Sequence, residues 1–160
     1  MKILINAQGW DLEPWAALVR KARPDADVVT TTDANALADV RYAMVWKPEP
    51  GLLGRCPRLD VIFNLGAGVD AILKDETIPK RIPLVRIADP NMTMRMTEWV
   101  VLQALLHHRR MLAYLAQQRA KVWNDMPGQP AAEHVTVGVM GLGILGIAAL
   151  RGLGALGFER

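Results

Sequence analysis

The stretch that most constrains this chain is Val135 to Gly157, VTVGVMGLGILGIAALRGLGALG. A short apolar run that reads as a strand leads into Gly141-Leu142-Gly143-Ile144-Leu145-Gly146, and an apolar helix follows. A dinucleotide-binding βα turn needs that order. The first glycine makes the tight turn, the second lets backbone approach a pyrophosphate, and the third lets helix pack on strand. Phosphates would sit on the free N–H groups at the helix N-terminus. The same residues also suit a tight packing turn with no ligand. The acidic residue expected on the ribose, about 20 positions beyond the fingerprint, falls just past Arg160. A parallel sheet needs further βα units beside its first strand, so these 160 residues are expected to be part of a longer polypeptide.

The chain ahead of this turn alternates strand with short connection. Lys2 to Asn6 is apolar enough for a buried parallel strand. A helix follows in which Asp11 is the expected cap, Trp15, Leu18, Val19 and Ala22 recur at helical spacing, and Pro24 is the stop. Asp27 to Thr32, Tyr42 to Trp46, Leu59 to Leu65 and Pro83 to Ala88 are four further strands. Asp33 is placed to cap a short helix over Ala34 to Ala38, and Asp70 one over Ala71 to Lys74. Five strands in βα alternation read as a doubly wound parallel sheet. Ligands in such sheets bind beyond the carboxyl ends of the strands. Two segments stand there. Trp46-Lys47-Pro48-Glu49-Pro50 could line a pocket for a small anion, or simply cover a loop. Gly66-Ala67-Gly68-Val69-Asp70 is a strand-to-helix turn whose consecutive N–H groups could hold a carboxylate.

A long helical stretch is expected from Asn91 to about Gln118. Met96, Trp99, Val100, Leu102, Leu106, Leu112 and Leu115 make it apolar on more than one face, so it should be buried against more than one surface. His107-His108-Arg109-Arg110 within it does not read as a metal site, because adjacent residues do not share a helix face. Met92, Met94 and Met96 suit flexible packing. The domain boundaries expected are a flavodoxin-like unit over 1–90, an interdomain helical segment over 91–124, a linker over 125–134 and the start of a dinucleotide-binding domain over 135–160.

Charge and cysteine content remove several alternatives. The net charge is +3, but the basic residues stand in small groups with acids between them and no aromatic-interleaved stripe, which argues against nucleic acid as a partner. The lone Cys56 excludes an internal disulfide and a multi-cysteine metal site, and its Leu-Gly-Arg-Cys-Pro-Arg context offers nothing for a nucleophile. No apolar run has the length of a signal peptide or a membrane span, so cytoplasm is the default expectation.

Three ordered motifs, Phe63-Asn-Leu-Gly-Ala-Gly-Val-Asp70, Pro90-Asn-Met-Thr-Met-Arg-Met-Thr-Glu-Trp99 and VGVMGLGILG, resemble the D-isomer-specific 2-hydroxyacid dehydrogenases. Val45-Trp46-Lys-Pro and Arg86-Ile-Ala-Asp-Pro90 look most like the glyoxylate/hydroxypyruvate reductase A branch. The resemblance implies a flavodoxin-like substrate domain followed by a Rossmann NAD(P)-binding domain, with the chain returning to the first domain at its C-terminal end. It implies hydride transfer from NADPH or NADH, with NADPH favoured, to a small 2-oxo acid. It places Ala67, Gly68 and Val69 on the substrate carboxylate, Trp46 in the pocket wall and Met96 near the nicotinamide. Gly141, Leu142, Gly143, Ile144, Leu145 and Gly146 would form the pyrophosphate turn, and a homodimer through the long helix is implied. The family's catalytic arginine, histidine and acidic partner have no counterpart here, and His107, His108 and His134 stand in no matching context. The short chain alone is therefore expected not to turn over. The rival reading is a non-catalytic carboxylate-binding or dimerisation module, with Leu145, Leu150, Leu153 and Leu156 left as an unprotected apolar patch.

Overall fold

The computed structural model describes residues 1–159, which divide into two compact units, Met1–Ile87 and the chain from Ala88 onward. The first unit is a five-stranded, all-parallel sheet. Its strands are β1 (Lys2–Ala7), β2 (Asp27–Val29), β3 (Val40–Trp46), β4 (Val61–Asn64) and β5 (Leu84–Arg86), in the spatial order β2-β1-β3-β4-β5. This is the flavodoxin-like order, with its switch point between β1 and β3. Helices α1 (Glu13–Ala22), α2 (Ala34–Leu37) and α3 (Asp70–Leu73) make connections between strands.

Alternation along the strands sends side chains to two cores. On one face Leu4, Val40, Ala43, Val45 and Ile62 pack with Leu37, Leu52, Leu53, Leu59 and Ile72. On the other, Ile3, Ile5 and Val28 close on Ala16 of α1, with Leu12, Val19, Tyr42 and Met44 around them. α1 therefore meets the sheet through Ala16 and Val19. Trp15 and Leu18, expected inward, are exposed. A small residue at the contact lets the helix lie close to the strands and turns its larger neighbours outward. Cys56 is buried in the first core, and burial pushes its thiol up from the usual range. A protonated, enclosed thiol is no nucleophile.

Several local expectations change. β2 ends at Val29, because Thr30 to Thr32 find no strand to pair with. Asp33 does stand at the N-cap of α2, but its carboxylate accepts from Thr31 Oγ1 at 2.8 Å instead of a helix N–H. Asp70 lies inside α3, whose N-cap is Val69. Asp11 accepts from Glu13 N at 3.2 Å, one residue ahead of the N-cap Leu12.

In the second unit the expected long helix is two helices, α4 (Pro90–His108) and α5 (Met111–Ala120). Asp89 caps α4 by accepting from Met92 N at 2.8 Å, and Pro90 sits at its first turn. The break falls at Arg109-Arg110, where Arg110 adopts φ 51°. The basic run ahead of it suits a helix C-terminus, whose dipole favours cations. Although the helix was expected to be buried on several sides, none of its residues is buried. Its one packed side meets α6 (Ile144–Ala155), where Gly152 leaves room for Thr97 and Val101. α6 in turn buries Ala149 and Leu153, so Leu153 is withdrawn from the apolar patch expected of it. Leu156 remains exposed.

The run ahead of the glycine turn is not a strand. Thr136 makes a single parallel bridge to Glu159, supported by Val137 N to Glu159 O at 2.9 Å and Glu159 N to Val135 O at 3.1 Å. Ladder hydrogen bonds, not apolar composition, define a strand, and among the described residues only Glu159 pairs with it. No described helix is long and apolar enough to cross a membrane.

Candidate functional site

The first unit's site is built where β1, β3 and β4 end. Trp46 closes β3 and Asn64 closes β4. Register across β3 and β4 sets Val45 opposite Asn64, so the chain leaves both strands side by side. Gly66 is the closest point. A Cβ there would overlap Cζ3 of Trp46, so only glycine lets the turn lie against the indole. Trp46 also stacks on Trp10 with ring centroids 6.5 Å apart, and Trp10 contacts Trp15 at 5.1 Å. Lys47, in the left-handed region at φ 46°, brings its Nζ to 5.6 Å from the Trp46 ring. The result is an aromatic wall with one cation beside it.

Asn64 is 3% exposed and is the buried polar residue of the unit. Its Nδ2 donates to Gly66 O at 2.7 Å and to Gly68 O at 2.8 Å. Arg86 at the end of β5 donates from an Nη to Ala67 O at 3.5 Å, and Ile87 N reaches Gly66 O at 3.4 Å. The carbonyls of the turn are thus occupied. The amides of Ala67, Gly68 and Val69 donate to no described residue. Unpaired consecutive N–H groups form an anion-binding concavity, so the turn offers three donors to a carboxylate without a formal charge.

Sequence reasoning placed Trp46, Ala67, Gly68 and Val69 here and missed Trp10, Arg86 and Asn64. For Asn64 a signal existed. β4 alternates, with Ile62 and Asn64 inward and Phe63 exposed, so an amide stood at a core position of an apolar strand.

The second unit's site is the Gly141–Gly146 turn. Gly141 has φ +94°, which L side chains rarely adopt. A Cβ on Gly146 would overlap the Gly141 carbonyl oxygen, whereas one on Gly143 would meet nothing within 4 Å. Gly143 is the N-cap of α6, with Ile147 N donating to its carbonyl at 2.9 Å. The amides of Ile144, Leu145 and Gly146 precede that first helical bond and face no partner in the described chain. Leu142 and Ile144 expose their side chains. The open space at Gly143 and the free first-turn amides fit a pyrophosphate. An open groove of about 450 Å³ runs beside this turn, lined by Met94, Thr93, Thr97, Ile144, Ala148 and Arg151 among others. Met94 lines it and Met96, which is partly exposed on α4, does not. His107, His108 and His134 all belong to this second unit, and His108 packs edge-on against Phe158 at 5.0 Å.

Comparison with known proteins identifies the relatives of this arrangement. No family model matches the chain. Glyoxylate/hydroxypyruvate reductase A of Yersinia enterocolitica is 34% identical over 167 residues, covering 99% of this chain and 51% of that protein. The Salmonella paratyphi B protein of the same name is 37% identical over 165 residues, again covering 99% and 51%. Among solved structures, the NADPH-dependent glyoxylate/hydroxypyruvate reductase of Sinorhizobium meliloti, in complex with NADP and sulfate, is 40% identical with a TM-score of 0.84. That match covers 98% of this chain and 50% of the other. Over nearly its whole length the chain is similar to the D-isomer-specific 2-hydroxyacid dehydrogenases.

Within that family, the member from Xanthobacter autotrophicus, in complex with NADPH and MES, matches at TM-score 0.83 and 34% identity over 98% of this chain and 52% of its own. The chain spans about half the length of the curated relatives it matches. Both glycine turns lie inside the matched span, which leaves almost none of this chain's sequence outside the comparison.

Proposed function

We propose that this chain carries the carboxylate-recognition turn and the pyrophosphate turn of an NAD(P)H-dependent reductase that converts a small 2-oxo acid, of glyoxylate or hydroxypyruvate type, into the 2-hydroxy acid. The carrying observation is the Gly66–Val69 turn, whose carbonyls are engaged by Asn64 and Arg86 while its three amides are free. Ala67, Gly68 and Val69 take the carboxylate. Trp46 excludes water from one side, which strengthens those neutral hydrogen bonds.

For the cofactor, Leu142, Gly143, Ile144 and Leu145 contact the pyrophosphate, with Gly141 and Gly146 shaping the turn and Met96 close to the nicotinamide. The cofactor, when bound, supplies the hydride; the protein orients it and the acceptor carbon. NADPH is favoured over NADH, in line with the Sinorhizobium and Xanthobacter relatives, whose structures hold NADP and NADPH. Proton delivery to the forming alkoxide needs a donor within hydrogen-bond reach. The backbone amides of Ala67, Gly68 and Val69 bind and orient the carboxylate and are far too weak as acids to supply that proton. The 160-residue chain on its own is accordingly expected to show no hydroxypyruvate-dependent NADPH oxidation.

Self-association through α4 belongs to the same reading. Trp99 is 58% and Leu102 52% exposed on that helix, an apolar surface of the kind a second copy covers. Sedimentation of the purified chain should show a dimer, and a monomer at high concentration would remove this part of the proposal.

The ligand test is an amide-resolved NMR titration of the ¹⁵N-labelled chain with sodium oxalate and, separately, with NADPH. Oxalate should move Ala67, Gly68 and Val69, and NADPH should move Leu142 to Leu145. Saturating oxalate that leaves the Ala67–Val69 amides in place would overturn the carboxylate assignment.

A further inference from the structure

We infer that Asn64 is the positioning residue of the carboxylate turn: its side-chain amide, by gripping two carbonyls, aims the amides that receive the anion. The inference rests on the carboxylate reading given above and adds to it the group that creates the site.

The geometry follows from the peptide bond. No peptide in the described chain is cis, and in a trans unit the C=O and the following N–H point in opposite directions. Asn64 Nδ2 holds Gly66 O at 2.7 Å, so the N–H of Ala67 must point away from Asn64. It holds Gly68 O at 2.8 Å, so the N–H of Val69 must point away as well. One NH2 group thus turns two alternate amides outward together. Two carbonyl oxygens as neighbours also fix which end of the Asn64 side chain faces the turn, since only the NH2 can donate to both.

Burial makes the grip strong. At 3% exposure, Asn64 exchanges its two hydrogen bonds with little competing water, and losing them would leave Gly68 O without its described partner and Gly66 O with only the longer bond from Ile87 N. The backbone it orders is glycine-rich, which is the kind that keeps most freedom when nothing holds it. Trp46 alone does not do this. The indole excludes a side chain at Gly66 but makes no hydrogen bond that would select one peptide orientation.

Two near-isosteric variants separate aiming from bulk. Asn64→Leu keeps the branched heavy-atom shape and removes both donors, and Asn64→Asp keeps the size and replaces the donors by acceptors, so one remains usable if the other fails to fold. Two readouts are taken on the ¹⁵N-labelled full chain: amide order of residues 67 to 69 without ligand, from ¹⁵N relaxation, and the affinity for sodium oxalate. We expect the order parameters of Ala67, Gly68 and Val69 to fall while those of β1, β3 and the Gly141–Gly146 turn hold, and the oxalate Kd to rise at least about tenfold. Unchanged order at 67 to 69 in a folded variant overturns the inference. So does a disordered turn that binds oxalate as tightly as before. Lost order in the variants with no oxalate binding by the unaltered chain would support the aiming role and reject the carboxylate reading, so the two fail separately.

Discussion

The two glycine-rich turns of this chain keep their amides free by different means. In the first unit, the Gly66–Val69 turn is held by side chains: Asn64 and Arg86 occupy its carbonyls and Trp46 lies against Gly66. In the second, the Gly141–Gly146 turn is made by backbone. Gly141 takes a positive φ, and its carbonyl oxygen fills the space a side chain on Gly146 would need. A side-chain grip can be loosened and compensated by another side chain, whereas a backbone obstruction has no such partner to remove. The difference also explains their legibility. A turn made by glycine conformation is written locally in its own residues, and a turn gripped by side chains depends on residues brought from three strands.

Substitutions break the comparison in order of expected effect. Gly146→Ala should be the most damaging, because the new Cβ would overlap a main-chain oxygen; a cost of about 3 kcal/mol fits severe overpacking. Trimming the nearest side chain with Val139→Ala should not recover it, as urea unfolding of the second unit would show. Gly66→Ala should cost about 2 kcal/mol by the same mechanism, but here the obstacle is the Trp46 ring. The double variant Trp46→Ala/Gly66→Ala should therefore be more stable than the sum of the singles predicts, with a coupling of about 1 kcal/mol or more. Strict additivity would mean that Trp46 does not hold the turn.

A third test concerns the side-chain ties of the first unit more widely. The Asp75 carboxylate accepts from Thr77 Oγ1 at 2.6 Å, Gly51 N at 2.8 Å and Thr77 N at 3.0 Å. Partial burial raises its pKa, but these hydrogen bonds outweigh burial and hold the group below the usual carboxylate range. Its stabilisation is complete above an unfolded value of about 3.9, and it is lost as pH falls through the lower folded value. Asp75→Asn should cost about 1 kcal/mol at neutral pH and flatten the acid limb of a melting-temperature profile. An unchanged acid limb would mean that the ties are too exposed to matter. The smallest effect should be Gly143→Ala. Nothing lies within 4 Å of a Cβ there and φ is −79°, so stability should move by no more than about 0.5 kcal/mol. Any larger change in NADPH affinity would then report contact with the cofactor itself.

Much of this architecture could be read from residues alone. The βα alternation gave five parallel strands, and the apolar runs at Lys2, Tyr42 and Leu59 all lie in or overlap strands that form. The positions of the two turns were evident for the reason given above. Other features were not. The helix beyond Asn91 read as continuous, since neither glycine nor proline interrupts it, yet Arg110 turns into the left-handed region. Val135 to Met140 has strand composition but makes only one bridge, because pairing depends on a neighbour rather than on the run. Trp15 and Leu18 fitted a helical period and still face outward, since Ala16 permits the closer contact with the sheet.

The sequence by itself determined the fold class and the positions of the two glycine turns. Periodicity and glycine conformation act over a few residues, and a few residues are enough to state them. Only the tertiary structure decided the strand order β2-β1-β3-β4-β5, the split of the long helix and the part played by Asn64. An amide at the end of a strand has no assigned work until the neighbouring strands are in register and the chain folds its own carbonyls back onto it.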